Sequence, residues 1–214
     1  MLRLYRALWS TNVERVALAL AHKGIDVESV VIEYTDRSLV EAASGQGLVP
    51  VIDDDGHVVS DSHAILRHLE QRWPDPPLFP AEPARRAELE VFLDWFDRMW
   101  KGPPNEIEAE LAEAVPDRPR IAALSELMDA RLDLFEEMLE GREHLFGQDF
   151  SAADCVAFPF LKYARAREVE DTEAFHVVLD EHQSLTGRPR LAAWIDRVDA
   201  RPRAEGRHIS DGGS

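Results

Sequence analysis

Along residues 1–72 the apolar positions switch between two spacings. Leu2, Leu4 and Tyr5 read as a short strand. Val13, Val16, Ala17, Leu20 and Ala21 then recur at helical spacing until Lys23-Gly24 supplies a C-terminal stop, and Val27 to Glu33 is a Val- and Ile-rich strand. A strand, a helix and a strand joined this tightly predict a right-handed βαβ unit with parallel strands. After a short polar stretch, Val49, Val51 and Ile52 face His57 to Val59 across Asp55-Gly56, a dipeptide that supplies the positive φ angles of a tight hairpin. A helix carrying Ile65, Leu66, Leu69 and Trp73 closes the segment. The order is βαβ, a connection, then ββα.

That order is the thioredoxin-like arrangement, in which both motifs share one mixed sheet, and it assigns residues 1–75 to an α/β domain. The run W-P-D-P-P-L-F-P-A-E-P, Trp73 to Pro83, carries five prolines and reads as a semi-rigid connector over 76–83. Beyond it the periodicity is helical. Ala84 to Lys101 repeats Leu89, Phe92, Leu93, Phe96 and Trp100, and Arg118 to Glu140 repeats Ile121, Leu124, Leu127, Met128, Leu132, Phe135 and Leu139. Ser151 to Arg165 and Leu191 to Val198 follow the same period, so residues 84–202 are expected to form an all-α bundle. The polar end, 203–214, is expected to fray.

Charge narrows the classes of partner. A net charge of −17 repels phosphate backbones and acidic membrane surfaces, which excludes nucleic acid and membrane as expected partners. No apolar run approaches the ~20 residues of a membrane span, and a charged N-terminus, M-L-R-L-Y-R, is unlike a signal peptide, so a cytoplasmic location is expected. The single cysteine, Cys155, rules out an internal disulfide and lies on an apolar helix with Val156, Phe158 and Leu161, which makes it a core residue. The eight histidines show no metal-ligand spacing, so no metal is expected.

Three stretches carry candidate chemistry. Pro50 interrupts the first hairpin strand, where a residue without an N–H is normally confined to edges, bulges or strand starts. It is either a trans-proline at a strand start or a cis bond that turns the backbone towards a ligand. Ser60-Asp61-Ser62 opens the next helix. Ser60 or Asp61 serves as its cap, and the unpaired N–H groups and positive dipole end suit a carboxylate, with the Ser62 hydroxyl as a further donor; the two roles are compatible. In L-W-S-T-N-V-E-R-V, Leu8 to Val16, Ser10 stands where the first loop meets the first helix, and Thr11-x-x-Glu14 reads as a capping box that by itself accounts for polar residues there.

The V-P-V-I stretch with D-S-H-A-I about a dozen residues on, the H-L-F-G-Q-D-F-S-A-A-D that opens a helix of the second domain, and the terminal R-P-R-L-A-A-W-I-D-R-V-D-A-R-P resemble the cytosolic glutathione transferase superfamily over residues 2–202. The spacing of Ser10 to Arg15-Val16 resembles the S-x-x-x-x-R-V pattern of serine-type members, and Ser10-Thr11-Asn12 resembles the T-P-N of certain bacterial members with disulfide reductase activity. The resemblance implies that a cis-Pro50 holds Val49 so that its backbone pairs with the cysteinyl part of glutathione. It implies that Ser62 receives the γ-glutamyl carboxylate and Asp61 faces the γ-glutamyl amine. Ser10 would donate to the thiolate, a stabilisation needed because a free thiol with a pKa of about 8.5 is mostly protonated at neutral pH, and Asn12 would contact the sulfur region. Tyr5, at the position other classes use, is structural in serine-type members. An electrophile pocket between the domains would be lined by Leu8, Trp9, Trp95, Met99 and Trp100, side chains that equally suit bundle core. The resemblance further implies a homodimer in which the helix of Arg67 and His68 packs near the partner.

The implied activity is a glutathione transferase that activates the thiol for attack on a small electrophile, with peroxide or disulfide reduction as related outcomes. The alternative is a non-catalytic binding or assembly module of the same fold. Departures bear on this choice. Where many members carry N-P-x-G-K-V-P this chain has S-G-Q-G-L-V-P, Ser44 to Pro50, so Leu48 replaces the residue that holds the glycyl carboxylate and Gln46 is the candidate substitute. The S-S-C signature of maleylacetoacetate isomerases is absent.

Overall fold

The computed structural model describes residues 1–204 and 207–208, and the chain divides into two compact units, Met1–Phe79 with the segment from Arg201, and Pro80–Ala200. In the first unit β1 (Leu2–Arg6), α1 (Thr11–His22) and β2 (Glu28–Val31) form the expected βαβ motif with β1 and β2 parallel. β3 (Val51–Asp54) and β4 (His57–Ser60) form the hairpin, β3 runs antiparallel to β1, and α3 (Ser62–Arg72) follows. The Asp55-Gly56 turn has φ of 51° and 93°, the two positive values that a twisted two-residue hairpin requires. Helix α1 buries Val13 and every residue from Arg15 to Leu20, and α3 packs against it. It ends at Lys23, and Gly24 takes the left-handed φ of 65° that glycine adopts without steric cost.

Several elements differ from the periodic reading. The polar stretch after β2 contains a short helix, α2 (Ser38–Ser44), which buries only Val40 and so carries almost no apolar signal. Pro50 lies just outside β3 rather than inside a strand, so its missing N–H removes no ladder bond. The connector is not free up to residue 83. Lys23 Nζ donates to Glu70 Oε2 (2.8 Å) and to the carbonyls of Trp73 (2.7 Å) and Pro76 (2.9 Å), while Glu70 accepts from the N–H of Leu78 (2.9 Å) and Phe79 (3.3 Å). With Leu78 and Phe79 buried, the first unit extends to Phe79. The segment expected to fray also contributes: Ala204 N–H donates to Ala17 C=O (3.0 Å), Arg203 pairs with Glu14 (3.0 Å), and β5 (Arg207–His208) runs parallel to β2. Residues 205, 206 and 209–214 lie outside the described residues.

The second unit is helical, from α4 (Pro83–Trp95) through a π-helical turn (Phe96–Trp100), α5 (Gly102–Leu111), α6 (Arg118–Ala130), α7 (Leu132–Met138), α8 (Ala152–Leu161) and α9 (Ala174–Glu181) to α10 (Pro189–Asp199). Helix α5 escapes a periodicity search because it begins Gly-Pro-Pro; prolines are harmless in a first turn, where the N–H groups have no intrahelical partner. The predicted Arg118 to Glu140 helix breaks at Arg131 into α6 and α7. Every residue of α8 is buried, Cys155 included. At its start Asp154 accepts from Ser151 N–H (2.9 Å), Ser151 Oγ (3.0 Å), Leu145 N–H (3.1 Å) and Trp194 Nε1 (2.8 Å), so the Ser151-x-x-Asp154 box caps a helix and ties α10 to it. No helix among the described residues is long and apolar enough to cross a membrane.

The Lys23–Glu70 pair has side-chain exposures of 0% and 9%. Removing one partner of a buried pair leaves the other charge uncompensated, so Glu70→Gln should lower the unfolding free energy in urea by about 3 to 5 kcal/mol. Arg165→Ala, which breaks an ion pair that is 54% and 52% exposed, should cost less than about 1 kcal/mol. Equal losses for the two variants would show that the buried pair contributes no more than a surface one.

Candidate functional site

Strand register brings the candidate residues to one end of the sheet. Val51 pairs with Tyr5 on one side and with Ser60 on the other. The loop after β1 (residues 7–10), the residues before β3 (49–50) and the residues after β4 (61–62) therefore all leave the sheet at the same edge. Two helix N-termini, those of α1 and α3, open there.

At α1 the helix cap is Ser10, not the Thr11-x-x-Glu14 box: Ser10 Oγ accepts from Val13 N–H at 3.3 Å, and the helix begins at Thr11. The Ser10 hydroxyl hydrogen and the half-buried Asn12 amide have no partner among the described residues. Trp9, just before the cap, has a φ of 63°, unusual for a large side chain and a mark of local strain. Tyr34 Oη holds this loop by donating to Leu8 C=O (2.7 Å).

The Val49–Pro50 peptide is cis, the geometry that the resemblance implies. The Val49 side chain packs on the cluster of Ile32, Val40 and Val51, as does Tyr5, which occupies a structural position on β1. The backbone N–H and C=O of Val49 have no hydrogen-bond partner among the described residues. Anchored by its side chain and unpaired along its backbone, Val49 has the backbone donor and acceptor that strand addition of an extended peptide requires.

At α3, Asp61 is the cap. Its Oδ1 accepts from Ala64 N–H (3.0 Å), it is exposed, and its φ is 77°. Ser62 is only 4% exposed, and its Oγ accepts from Arg15 Nη1 at 3.2 Å. The Ser62 N–H and its hydroxyl hydrogen have no partner among the described residues, so two donors stand unpaired at a positive helix end.

Gln46, the proposed substitute for a glycyl-carboxylate partner, is already engaged. Its Oε1 accepts from Leu48 N–H (2.5 Å), and its Nε2 donates to Leu48 C=O (3.0 Å) and Ser44 Oγ (3.3 Å). Arg37 has its stem against Gly47 and its guanidinium 4.9 Å from the Tyr34 ring centroid, with no carboxylate partner among the described residues. Nothing in the polar stretch around it distinguishes this cation in sequence. Arg15 carried a signal, a charge that directly precedes the apolar run Val16 to Ala21 of α1.

Of the expected electrophile contacts, Leu8 (57% exposed) and Trp9 (38%) flank Ser10 on the surface of the first unit. Met99 (52%) and the half-buried Trp95 belong to the second unit. Trp100 is a correction: it has no exposed surface and stacks on Phe96 at 4.7 Å, with Phe135 and Phe160 against its edges, so it is bundle core. Among the described residues no group of three or more His, Cys, Asp and Glu side chains is placed to hold a metal ion. Chemically, this sheet end suits a short extended peptide with a carboxylate at one end and an anion near Ser10.

Two family models match the chain, the glutathione S-transferase N-terminal domain over residues 4–77 and the C-terminal domain over residues 83–197. Glutathione S-transferase GstB of Escherichia coli (strain K12) is 28% identical over 213 residues, covering 94% of this chain and 95% of that protein. FtsZ-localized protein A of Caulobacter vibrioides is 29% identical over 155 residues, covering 67% of this chain and 68% of its own. The crystal structure of a glutathione S-transferase from Rhodospirillum rubrum F11 superposes with a TM-score of 0.73 at 27% identity, covering 99% of this chain and 94% of that one.

Because Ser10 caps α1, Ser10→Ala should destabilise the protein by about 1 kcal/mol, whereas Ser10→Gly should cost only a few tenths, since glycine is tolerated at a cap. Chemical denaturation of the two variants measures the difference. Equal stability of Ser10→Ala and the parent would show that the cap contributes nothing.

Proposed function

The chain belongs to the glutathione S-transferase family, and we propose that it binds glutathione at the edge of its first unit and activates the thiol for attack on a small apolar electrophile. The observation that carries this reading is the unpaired backbone of cis-Pro50's neighbour, Val49, at the same sheet end as the unpaired donors of Ser62 and Ser10. The cysteinyl backbone pairs with Val49. Ser62 receives the γ-glutamyl carboxylate and the exposed Asp61 its amine, while Arg37, with Gln46 engaged elsewhere, is the cation for the glycyl carboxylate. The sulfur then lies near the α1 N-terminus, where the helix dipole and the Ser10 hydroxyl stabilise the thiolate, with Asn12 beside it.

The thiol proton leaves to solvent, and the sulfur lone pair forms the new bond to an electrophilic carbon as that carbon's bond to its leaving group breaks and the bonding pair departs with it, or, in an activated alkene, as the π pair shifts to the neighbouring carbon and is protonated from solvent. Leu8 and Trp9, exposed beside Ser10, suit an apolar co-substrate. The same thiolate serves for attack on a peroxide, where the O–O bond breaks, the sulfur is oxidised to the sulfenic acid and an alcohol leaves, or on a disulfide, where the S–S bond breaks, a mixed disulfide forms and a thiolate leaves. A second reading is a non-catalytic binding or assembly module, and what supports it is the match to FtsZ-localized protein A, a relative whose name gives a localisation and not a reaction. The two readings part at the sulfur: both fit a ligand at Val49, and only the first requires a lowered thiol pKa.

Ser10→Gly removes the hydroxyl at a position where glycine is tolerated as a helix cap. Loss of a hydrogen bond to an anion, worth about 1.5 to 3 kcal/mol, should raise the pKa of bound glutathione by about one to two units at 1.36 kcal/mol per unit. Turnover at neutral pH should fall by about tenfold or more and recover in part at higher pH, while affinity for glutathione changes little. Thiolate absorbance against pH measures this. An unchanged titration, or a larger shift in Thr11→Val or Tyr5→Phe, would assign the role to another residue, and a wild-type complex with an unshifted thiol would favour the non-catalytic reading.

The family reading also makes the protein a homodimer, associated through the face of α3 that carries Arg67 and His68. Sedimentation velocity at micromolar concentration should give the mass of two chains; a single-chain mass would remove the claim.

A further inference from the structure

Arg15 has no role in the arrangement above, yet it is a guanidinium with no exposed surface on a helix that is otherwise Val, Leu and Ala at its buried positions apart from Thr11. Burying such a charge is unfavourable unless its donors are used. Its Nη1 is 3.2 Å from Ser62 Oγ and 3.4 Å from His63 Nε2, both in the first turn of α3 and only 4% and 6% exposed. A guanidinium donates and never accepts. The Ser62 oxygen therefore accepts from Arg15, its own hydrogen points elsewhere, and no acceptor among the described residues takes that hydrogen.

We propose that Arg15 is a positioning residue for the ligand's α-carboxylate: it fixes the Ser62 hydroxyl as a donor towards the ligand and sets a buried positive charge under the first turn of α3. The inference rests on the reading of this site as a glutathione site. Without Arg15 the Ser62 hydroxyl rotates freely and must be ordered by the ligand itself, which weakens binding. Both contributions act on the carboxylate end of the ligand and leave the thiol end alone, so they are separable from a general loss of stability.

The test is calorimetric titration with glutathione and with 4-aminobutyryl-cysteinylglycine, which lacks only the α-carboxylate, with far-UV circular dichroism to confirm folding. The parent should prefer glutathione. Arg15→Met and Ser62→Ala should each cut that preference by about tenfold, and the double variant should lose less than the product of the two, because Arg15 acts partly through Ser62. Arg15→Lys, which keeps the charge without the fork, should fall between the parent and Arg15→Met. A merely structural role would weaken both ligands by the same factor and leave the preference intact. That result in either Arg15 variant, in the lysine variant alone if the methionine variant does not fold, overturns the inference while the glutathione reading stands. A parent that binds neither ligand overturns both.

Discussion

A backbone amide left without a partner inside a protein costs about 1 to 3 kcal/mol, and the first unit keeps such groups together at one end of its sheet. Val49 is the centre of this. Its side chain packs on the Ile32, Val40 and Val51 cluster, which fixes the residue, and its N–H and C=O have no hydrogen-bond partner among the described residues, beside a ladder that begins only at Val51. Because Val51 is paired on both sides, the loop before α1 and the turn into α3 are drawn to the same place. The remaining unpaired donors, on Ser62 and Ser10, are there for the same geometric reason. A ligand that supplies a strand-like backbone and an acidic end satisfies all of them at once.

Buried charge is the second constraint, and it is handled differently at each place. Lys23 and Glu70 use their bonds to bind the chain from Trp73 to Phe79 onto the first unit, which turns most of a proline-rich connector into packed structure. Asp154 uses four acceptor contacts to hold a helix start, a loop and α10 together in the second unit. Both groups are satisfied within their units. Arg15 instead donates to the hydroxyl oxygen of Ser62 in the first turn of α3, so its charge is tied to the sheet end where the two helix N-termini open.

Much of this was legible in the sequence because it rests on local rules. The βαβ and ββα order followed from apolar period, the hairpin from Asp55-Gly56, and the α8 start from Ser151-x-x-Asp154. Helices α2 and α5 were not legible: the first buries one side chain, and the second opens with Pro103-Pro104, which read as a break unless they occupy a first turn. The capping of α1 was misplaced by one residue, since Ser10 and Thr11 are chemically alike and only backbone conformation tells them apart; Ser10 is extended at ψ 111°.

The sequence by itself determined the element types, the division near the proline run and the residue kinds available at three loops, because propensity, period and turn chemistry act over a few neighbouring positions. Only the tertiary structure decided what those residues are free to do. It used up Gln46 on the Leu48 backbone, buried Trp100 against Phe96, placed Arg37 beside Gly47, and set Arg15 against Ser62 across 47 positions of chain. Whether a donor is spent or spare depends on partners brought together by strand register and helix packing, and such partners lie too far apart in sequence for any local pattern to show them.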